Sequence, residues 1–151
     1  MGKAAETRQE AIVALGSNMA PREEYLREAL LLLGELPETE FVKASSVIET
    51  EGVGVPEEFR HLKFLNQVAV FRSGLSALEF SRRMHAIEDR LGRVRTVKNG
   101  PRTIDLDLIA FGDERLDTPE LTLPHPRAHL RDFVIGPMKE LKIPVDKTRR
   151  K

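Results

Sequence analysis

Two helical segments, each with strand patterns before and after it, constrain the fold of this chain most strongly. The first is predicted to start at Pro21, which two acidic residues follow closely, and to end at Gly34. The second starts at Ser76, where a capping box begins, and ends at Gly92. Short apolar runs predict strands at 11–15, 41–50, 64–71 and from 103 onward. This β-α-β-β-α-β order predicts an α+β fold, a ferredoxin-like sandwich with a C-terminal extension of short strands and helices.

Length and charge favour one domain without a general attraction to nucleic acid or membranes. The 151 residues suffice for one hydrophobic core and are too few for two comfortable domains. We expect a mobile leader at 1–9, a single domain at 10–142 and a mobile basic tail at 143–151. Basic and acidic residues number 24 each, so no overall attraction to nucleic acid or membranes is expected. The absence of cysteine and of a membrane-length apolar run fits a cytoplasmic protein, and no obligate protein partner is indicated.

The run from 103 to 108 places two carboxylates on one side of a predicted strand. Its apolar residues alternate with Thr103, Asp105 and Asp107, the period of a strand with one buried face. Side chains two residues apart on a strand are separated by roughly 6.6 Å, which suits ligands of one or two hard cations such as Mg²⁺. The alternative is an exposed edge with two ordinary acids.

A cationic segment leads directly into this strand. Arg93, Arg95, Lys98 and Arg102 lie within ten residues of one another. The sequence contains neither a P-loop nor a Rossmann glycine motif, so any phosphate must be held by side chains and metal. Arginine beside a carboxylate pair is expected where Mg²⁺ meets a polyphosphate. The alternative is a solvated basic loop.

Three motifs together resemble a known enzyme family. Gly-Pro-Arg-Thr-Ile-Asp-Leu-Asp at 100–107 is preceded by Gly-Arg-Val-Arg at 92–95 and followed by Leu-Pro-His-Pro at 123–126. This combination resembles the 6-hydroxymethyl-7,8-dihydropterin pyrophosphokinases of folate biosynthesis, and the likeness extends from 14 to 137. The resemblance implies transfer of the β,γ-diphosphate of ATP to the pterin hydroxymethyl oxygen, which releases AMP. It also implies ATP as co-substrate and two Mg²⁺ ions held by Asp105 and Asp107.

The same resemblance assigns a role to further positions. The pterin site would comprise Thr50, Val53, Gly54, Phe64, Asn66 and Phe133. The ATP site would comprise Glu88, Arg93, Arg95, Arg102, Thr122, His125 and Arg131. The catalytic group would comprise Arg93, Arg102, Asp105 and Asp107.

The residues themselves support some of these roles better than others. Core packing alone explains Phe64 and Phe133, although an aromatic sandwich would also suit a flat pterin ring. Asn66 lies inside an apolar strand, where an amide is costly unless it finds partners. The two prolines that flank His125 restrict its backbone, which favours an oriented donor. The remaining histidines have no such setting, and we expect structural or surface positions for His61, His85 and His129.

Two departures from the family pattern concern the site. Asn99 stands where many members have an aromatic residue, and Phe64 stands where tyrosine is frequent.

Two other functions are also compatible with the sequence. A nucleotide-sugar transferase would use the Asp-x-Asp motif for its metal, and a noncatalytic ferredoxin-like module would bind RNA through the basic loop. Zero net charge and few aromatic residues argue against the RNA-binding module.

Overall fold

The computed structural model describes residues 8–19, 21–51, 56–59, 63–92 and 103–148, and its main element is a five-stranded antiparallel sheet. The strands are β1 (Gln9–Ser17), β2 (Thr39–Ala44), β3 (Ile48–Thr50), β4 (Phe64–Ser73) and β5 (Asp105–Phe111). Their order is β2-β4-β1-β5, and β3 pairs with β4 next to β2. Two short strands, β6 (Leu116–Asp117) and β7 (Thr122–Leu123), form a separate antiparallel pair.

Three α-helices cover the two faces of the sheet. They are α1 (Arg22–Gly34), α2 (Ala77–Arg90) and α3 (Asp132–Glu140). Helices α1 and α2 contribute to the core on one face and α3 to the core on the other, so the fold is a mixed α/β arrangement of three layers. The helix predicted to start at Ser76 is confirmed, because the Ser76 hydroxyl accepts a hydrogen bond from the backbone N–H of Glu79 at 3.1 Å. Across the described ranges, none of the helices is long and apolar enough to span a bilayer.

The larger core lies between the sheet and helices α1 and α2. Its largest buried side chains include Phe71 on β4, Phe80 on α2 and Phe111 on β5. The rings of Phe80 and Phe111 lie 5.7 Å apart between centroids in a tilted arrangement. Leu106 and Leu108 also point into this core, which confirms the alternation predicted for β5.

The second face of the sheet is divided into two halves. One half is apolar and is covered by α3; its sheet residues are Ile12, Val68, Val70, Ile109 and Ala110. The register between β1 and β5 shifts at this point, which leaves Ile109 as an extra residue in β5. The bulge puts Ile109 and Ala110 together under α3, whereas Asp105 and Asp107 lie on the other half of the same face.

The strand predicted at 41–50 is divided in two, which corrects the prediction. β2 ends at Ala44 and β3 begins at Ile48. Between them, Ser45 is buried and its hydroxyl accepts a hydrogen bond from the backbone N–H of Val68 at 3.0 Å. The side-chain amide of Gln67 donates to the Ser45 carbonyl at 2.7 Å. Side-chain hydrogen bonds thus replace part of the strand ladder here, and alternating apolarity cannot reveal such an interruption.

The chain beyond residue 142 is packed where the structure describes it. A 3₁₀ turn spans Val145–Thr148, and both Ile143 and Thr148 are buried. The Lys147 ammonium lies 2.9 Å from the Asp113 carboxylate after β5. Apolar contacts and this ion pair thus involve residues of the segment 143–151 for which a mobile tail is predicted, and residues 149–151 lie outside the described ranges. At the other end, β1 already includes Gln9.

Candidate active site

The candidate site lies on the half of the second sheet face that α3 leaves uncovered. In the strand register, Gly16 of β1 is opposite Asn66 of β4 on one side and Asp105 of β5 on the other. One pair further along, Ala14 is opposite Val68 and Asp107. Directly paired residues project to the same face of a sheet. The buried amide of Asn66 and both carboxylates therefore share one face, as predicted for the two aspartates.

The environment of Asp107 favours a positive partner. Burial and the neighbouring Asp105 carboxylate raise the pKa of Asp107 to about 6, although Arg131 acts in the opposite direction. The guanidinium of Arg131 is 3.9 Å from Asp107 Oδ2, and His125 Nε2 is 3.9 Å from Oδ1. Both distances exceed hydrogen-bond length, so Asp107 faces two donor groups but forms a direct hydrogen bond with neither of them.

His125 is held in one orientation by its own backbone. Its N–H donates to the Ile109 carbonyl at 2.8 Å, which fixes the segment after β7 against β5. The N–H of Arg127 donates to His125 Nδ1 at 3.2 Å, so Nδ1 is unprotonated and Nε2 carries the proton of the neutral ring. Burial and the positive charge of Arg131 lower the pKa of His125 to about 4. At neutral pH the ring therefore points a neutral N–H donor towards Asp107.

Glu88 is a buried carboxylate that connects α2 to β5. One of its oxygens accepts the backbone N–H of Leu106 at 2.7 Å, and the other lies 2.8 Å from His85 Nδ1. Leu106 separates the two site aspartates, and β5 is at the edge of the sheet formed by the described strands. Glu88 therefore accepts a peptide N–H that pairs with none of the described strands, and it fixes the backbone that carries Asp105 and Asp107.

A second group of predicted residues surrounds Asn66. Thr50 of β3 pairs with Phe64 of β4, and the Asn66 amide nitrogen donates a short hydrogen bond to the Thr50 hydroxyl. Phe133 lies at the start of α3, half-buried against its core, and the Arg131 guanidinium is 5.7 Å from its ring centroid. An amide, a hydroxyl and aromatic rings thus occur on the uncovered half of the face and at its border.

Comparison with known proteins identifies the family. The model of the 7,8-dihydro-6-hydroxymethylpterin-pyrophosphokinase (HPPK) family matches residues 12–143. The chain belongs to this family. It is therefore an ATP-dependent diphosphotransferase of the kind that serves folate biosynthesis, as the sequence motifs predicted. Membership also disfavours the nucleotide-sugar transferase and the RNA-binding module.

Curated HPPK relatives are similar over most of their length. A 2-amino-4-hydroxy-6-hydroxymethyldihydropteridine pyrophosphokinase of Bacillus subtilis is 40% identical over 137 residues, covering 91% of this chain and 80% of its own. The Pseudomonas aeruginosa protein of the same name is 39% identical over 133 residues, covering 88% and 80%.

Solved structures of longer HPPK chains share the fold. An HPPK-DHPS crystallised in complex with substrates matches 95% of this chain with a TM-score of 0.66 at 15% identity. A Plasmodium falciparum HPPK-DHPS with pteroate matches 88% with a TM-score of 0.64 at 14% identity. This chain spans 42% and 38% of those two chains, respectively.

Several predicted HPPK residues lie outside the described ranges. They are Val53, Gly54, Arg93, Arg95, Asn99 and Arg102. The described members form two groups, one with Thr50, Phe64 and Asn66 and one with Asp105, Asp107, His125 and Arg131. Thr122 lines a cleft with Asp107 and His125, and Phe133 borders Arg131.

His85 lies at the surface, as expected, with its side chain 46% exposed, and it also lines the same cleft as Asp107, Thr122 and His125. Its ring is held by Glu88, three residues later on the same face of α2. The i, i+3 spacing of His85 and Glu88 was the sequence signal that could have predicted their contact on one helix. Glu88, in contrast, is buried.

The described residues supply some of the oxygen ligands that a metal ion needs. Across the described ranges, no cluster of three or more His, Cys, Asp or Glu residues could enclose a metal ion. Two carboxylates on one sheet face, with a raised pKa at Asp107, instead fit a hard cation that takes its other oxygens from substrate and water. The donor set is therefore compatible with Mg²⁺ brought in by a nucleotide.

Proposed function

We propose that this protein transfers the β,γ-diphosphate of ATP to the hydroxymethyl oxygen of 6-hydroxymethyl-7,8-dihydropterin and releases AMP. The observation that supports this most is the row Asn66–Gly16–Asp105 across three adjacent strands. Two strand spacings separate the Cα atoms of Asn66 and Asp105 by about 10 Å. This distance suits two substrates that meet over β1, one recognised by an amide and the other by its phosphates.

The acceptor side of the row has the chemistry to bind a pterin. Asn66 and Thr50 supply hydrogen-bonding groups for the rim of the ring, and Phe64 and Phe133 supply aromatic faces. We assign Val53 and Gly54 to the same substrate from the family pattern.

The nucleotide side has the chemistry to bind a triphosphate. Asp105 and Asp107 would hold two Mg²⁺ ions, which would neutralise phosphate charge when bound. Arg131 and His125 approach Asp107 and are oriented to donate to phosphate oxygens, and Thr122 lies on the same cleft. Glu88, through its hydrogen bond to Leu106, fixes the strand that carries the acids. From the family pattern we assign Arg93, Arg95 and Arg102 to the same phosphates.

The protein's contribution to such a reaction is mainly alignment. Diphosphoryl transfer needs the acceptor oxygen in line with the bond that breaks, and little covalent chemistry from the protein. Rigid strands hold both substrate sites here, since β4, β1 and β5 are continuous hydrogen-bonded neighbours. We propose that the whole unit is a ferredoxin-like sandwich with a C-terminal extension and that 10–142 acts as one domain.

The nucleotide product tests this function. Purified protein given ATP, Mg²⁺ and the hydroxymethyl pterin should form AMP and a diphosphorylated pterin in equal amounts. Chelation of Mg²⁺ should stop the reaction, and replacement of the ion should restore it. Formation of ADP, or no turnover with this acceptor, would refute the proposal. Asp107→Asn should abolish AMP formation, whereas Asp146→Asn is the matched control because Asp146 is exposed in the C-terminal 3₁₀ turn.

A further inference from the structure

We propose that Gly16 is a positioning residue for the acceptor substrate, because its missing side chain lets the Asn66 amide lie over β1. The inference rests on the proposed function, in which Asn66 recognises the pterin. Gly16 itself would contact no reacting group; it acts through Asn66.

The space above Gly16 is filled by the Asn66 amide. A Cβ atom added at Gly16 would lie 3.1 Å from Asn66 Oδ1 and 3.5 Å from a ring carbon of Phe64. The first of these distances is tighter than ordinary carbon–oxygen packing, so the amide would have to move by a few tenths of an ångström. The amide is not free to do so without loss, since its nitrogen donates to the Thr50 hydroxyl.

The backbone gives no reason for glycine at this position. Gly16 lies within the regular part of β1, paired on both sides, and its φ is outside the left-handed region that favours glycine. Glycine inside a strand weakens it and often marks a place where another group approaches closely. Here the approaching group is a side chain of the proposed acceptor site.

Side chains on this face of β1 become smaller towards the site. Ile12 packs under α3, Ala14 lies opposite Asp107, and Gly16 lies opposite Asp105. Asn66 is 5% exposed, and its Oδ1 is the atom nearest to the position that a Cβ at Gly16 would take. Its amide nitrogen donates to the Thr50 hydroxyl. Gly16 therefore leaves the room in which the Asn66 oxygen lies, next to the proposed acceptor site.

A double-mutant cycle tests whether Gly16 acts through Asn66. Gly16→Ala should lower kcat/KM for the pterin at least tenfold while the Kd of a nonhydrolysable ATP analogue changes less than twofold. In an Asn66→Ala background, Gly16→Ala should change kcat/KM less than twofold, because the displaced group is already absent. Gly136→Ala is the matched control, since a Cβ there meets no atom within 4 Å.

Three results would overturn the inference. They are an unchanged kcat/KM in Gly16→Ala, the same tenfold loss again in the Asn66→Ala background, or an equal loss of ATP-analogue affinity. Thermal melting adds a second criterion: Gly16→Ala combined with Asn66→Ala should melt like Asn66→Ala alone. A Gly16→Ala protein that fails to fold in both backgrounds would show a packing role and refute the proposal. Wild-type protein that forms no AMP would instead refute the proposed function.

Discussion

Glu88→Ala should destabilise the protein although it removes neither a large apolar side chain nor either of the two site aspartates. In the native protein the 2% exposed Glu88 carboxylate accepts the Leu106 N–H at 2.7 Å. Alanine leaves that buried N–H without its acceptor, which costs about 1–3 kcal/mol. For a chain of 151 residues, 1 kcal/mol lowers Tm by roughly 2–4 °C, so a loss of about 2 kcal/mol corresponds to about 4–8 °C.

Urea unfolding and thermal melting measure this effect directly. Glu88→Gln should lose less than Glu88→Ala, because the amide oxygen can still accept the Leu106 N–H. Asp89→Ala serves as the control, because Asp89 follows Glu88 on α2 and its side chain is exposed. Turnover should fall more than stability explains, because the backbone between Asp105 and Asp107 loses its anchor. A Glu88→Ala protein that melts like the wild type would refute the role assigned to this carboxylate.

Three other substitutions separate stability from activity. Asp105→Ala and Asp107→Ala should each remove most AMP formation. Tm should stay within a few degrees of the wild type, because each substitution relieves the repulsion between two like charges on one sheet face. Gross unfolding in circular dichroism would contradict this prediction. Ser76→Ala should lower the free energy of unfolding, measured in urea, by about 1 kcal/mol, because it removes the N-cap of α2. KM for either substrate should not change, because this cap lies far from the acids; a changed KM would show that the cap influences the site.

Local sequence signals predicted the elements that depend on neighbours in the chain. Ser76 and the acids after Pro21 marked the helix starts, since caps act within one turn. Alternation at 104–108 placed Asp105 and Asp107 on one face, because the strand period is fixed by the backbone. The family motifs then predicted which chemistry the site carries out.

Features that depend on distant contacts could not be predicted in this way. Glu88 meets the Leu106 N–H across 18 residues of sequence, and only the packed fold brings the two together. The bulge at Ile109 and the break at Ser45 follow from pairing partners on β1 and β4. The covering of the second sheet face by α3 likewise requires the whole chain, and it decides which half of that face α3 leaves uncovered.

The central claim is that acceptor and nucleotide meet across one sheet face, over β1. A crystal structure with Mg²⁺, a nonhydrolysable ATP analogue and the pterin tests it most directly. The pterin ring should lie against Asn66 and Phe64, the metal on Asp105 and Asp107, and the acceptor oxygen between them. A pterin bound away from Asn66, or phosphates bound away from both aspartates, would contradict the account.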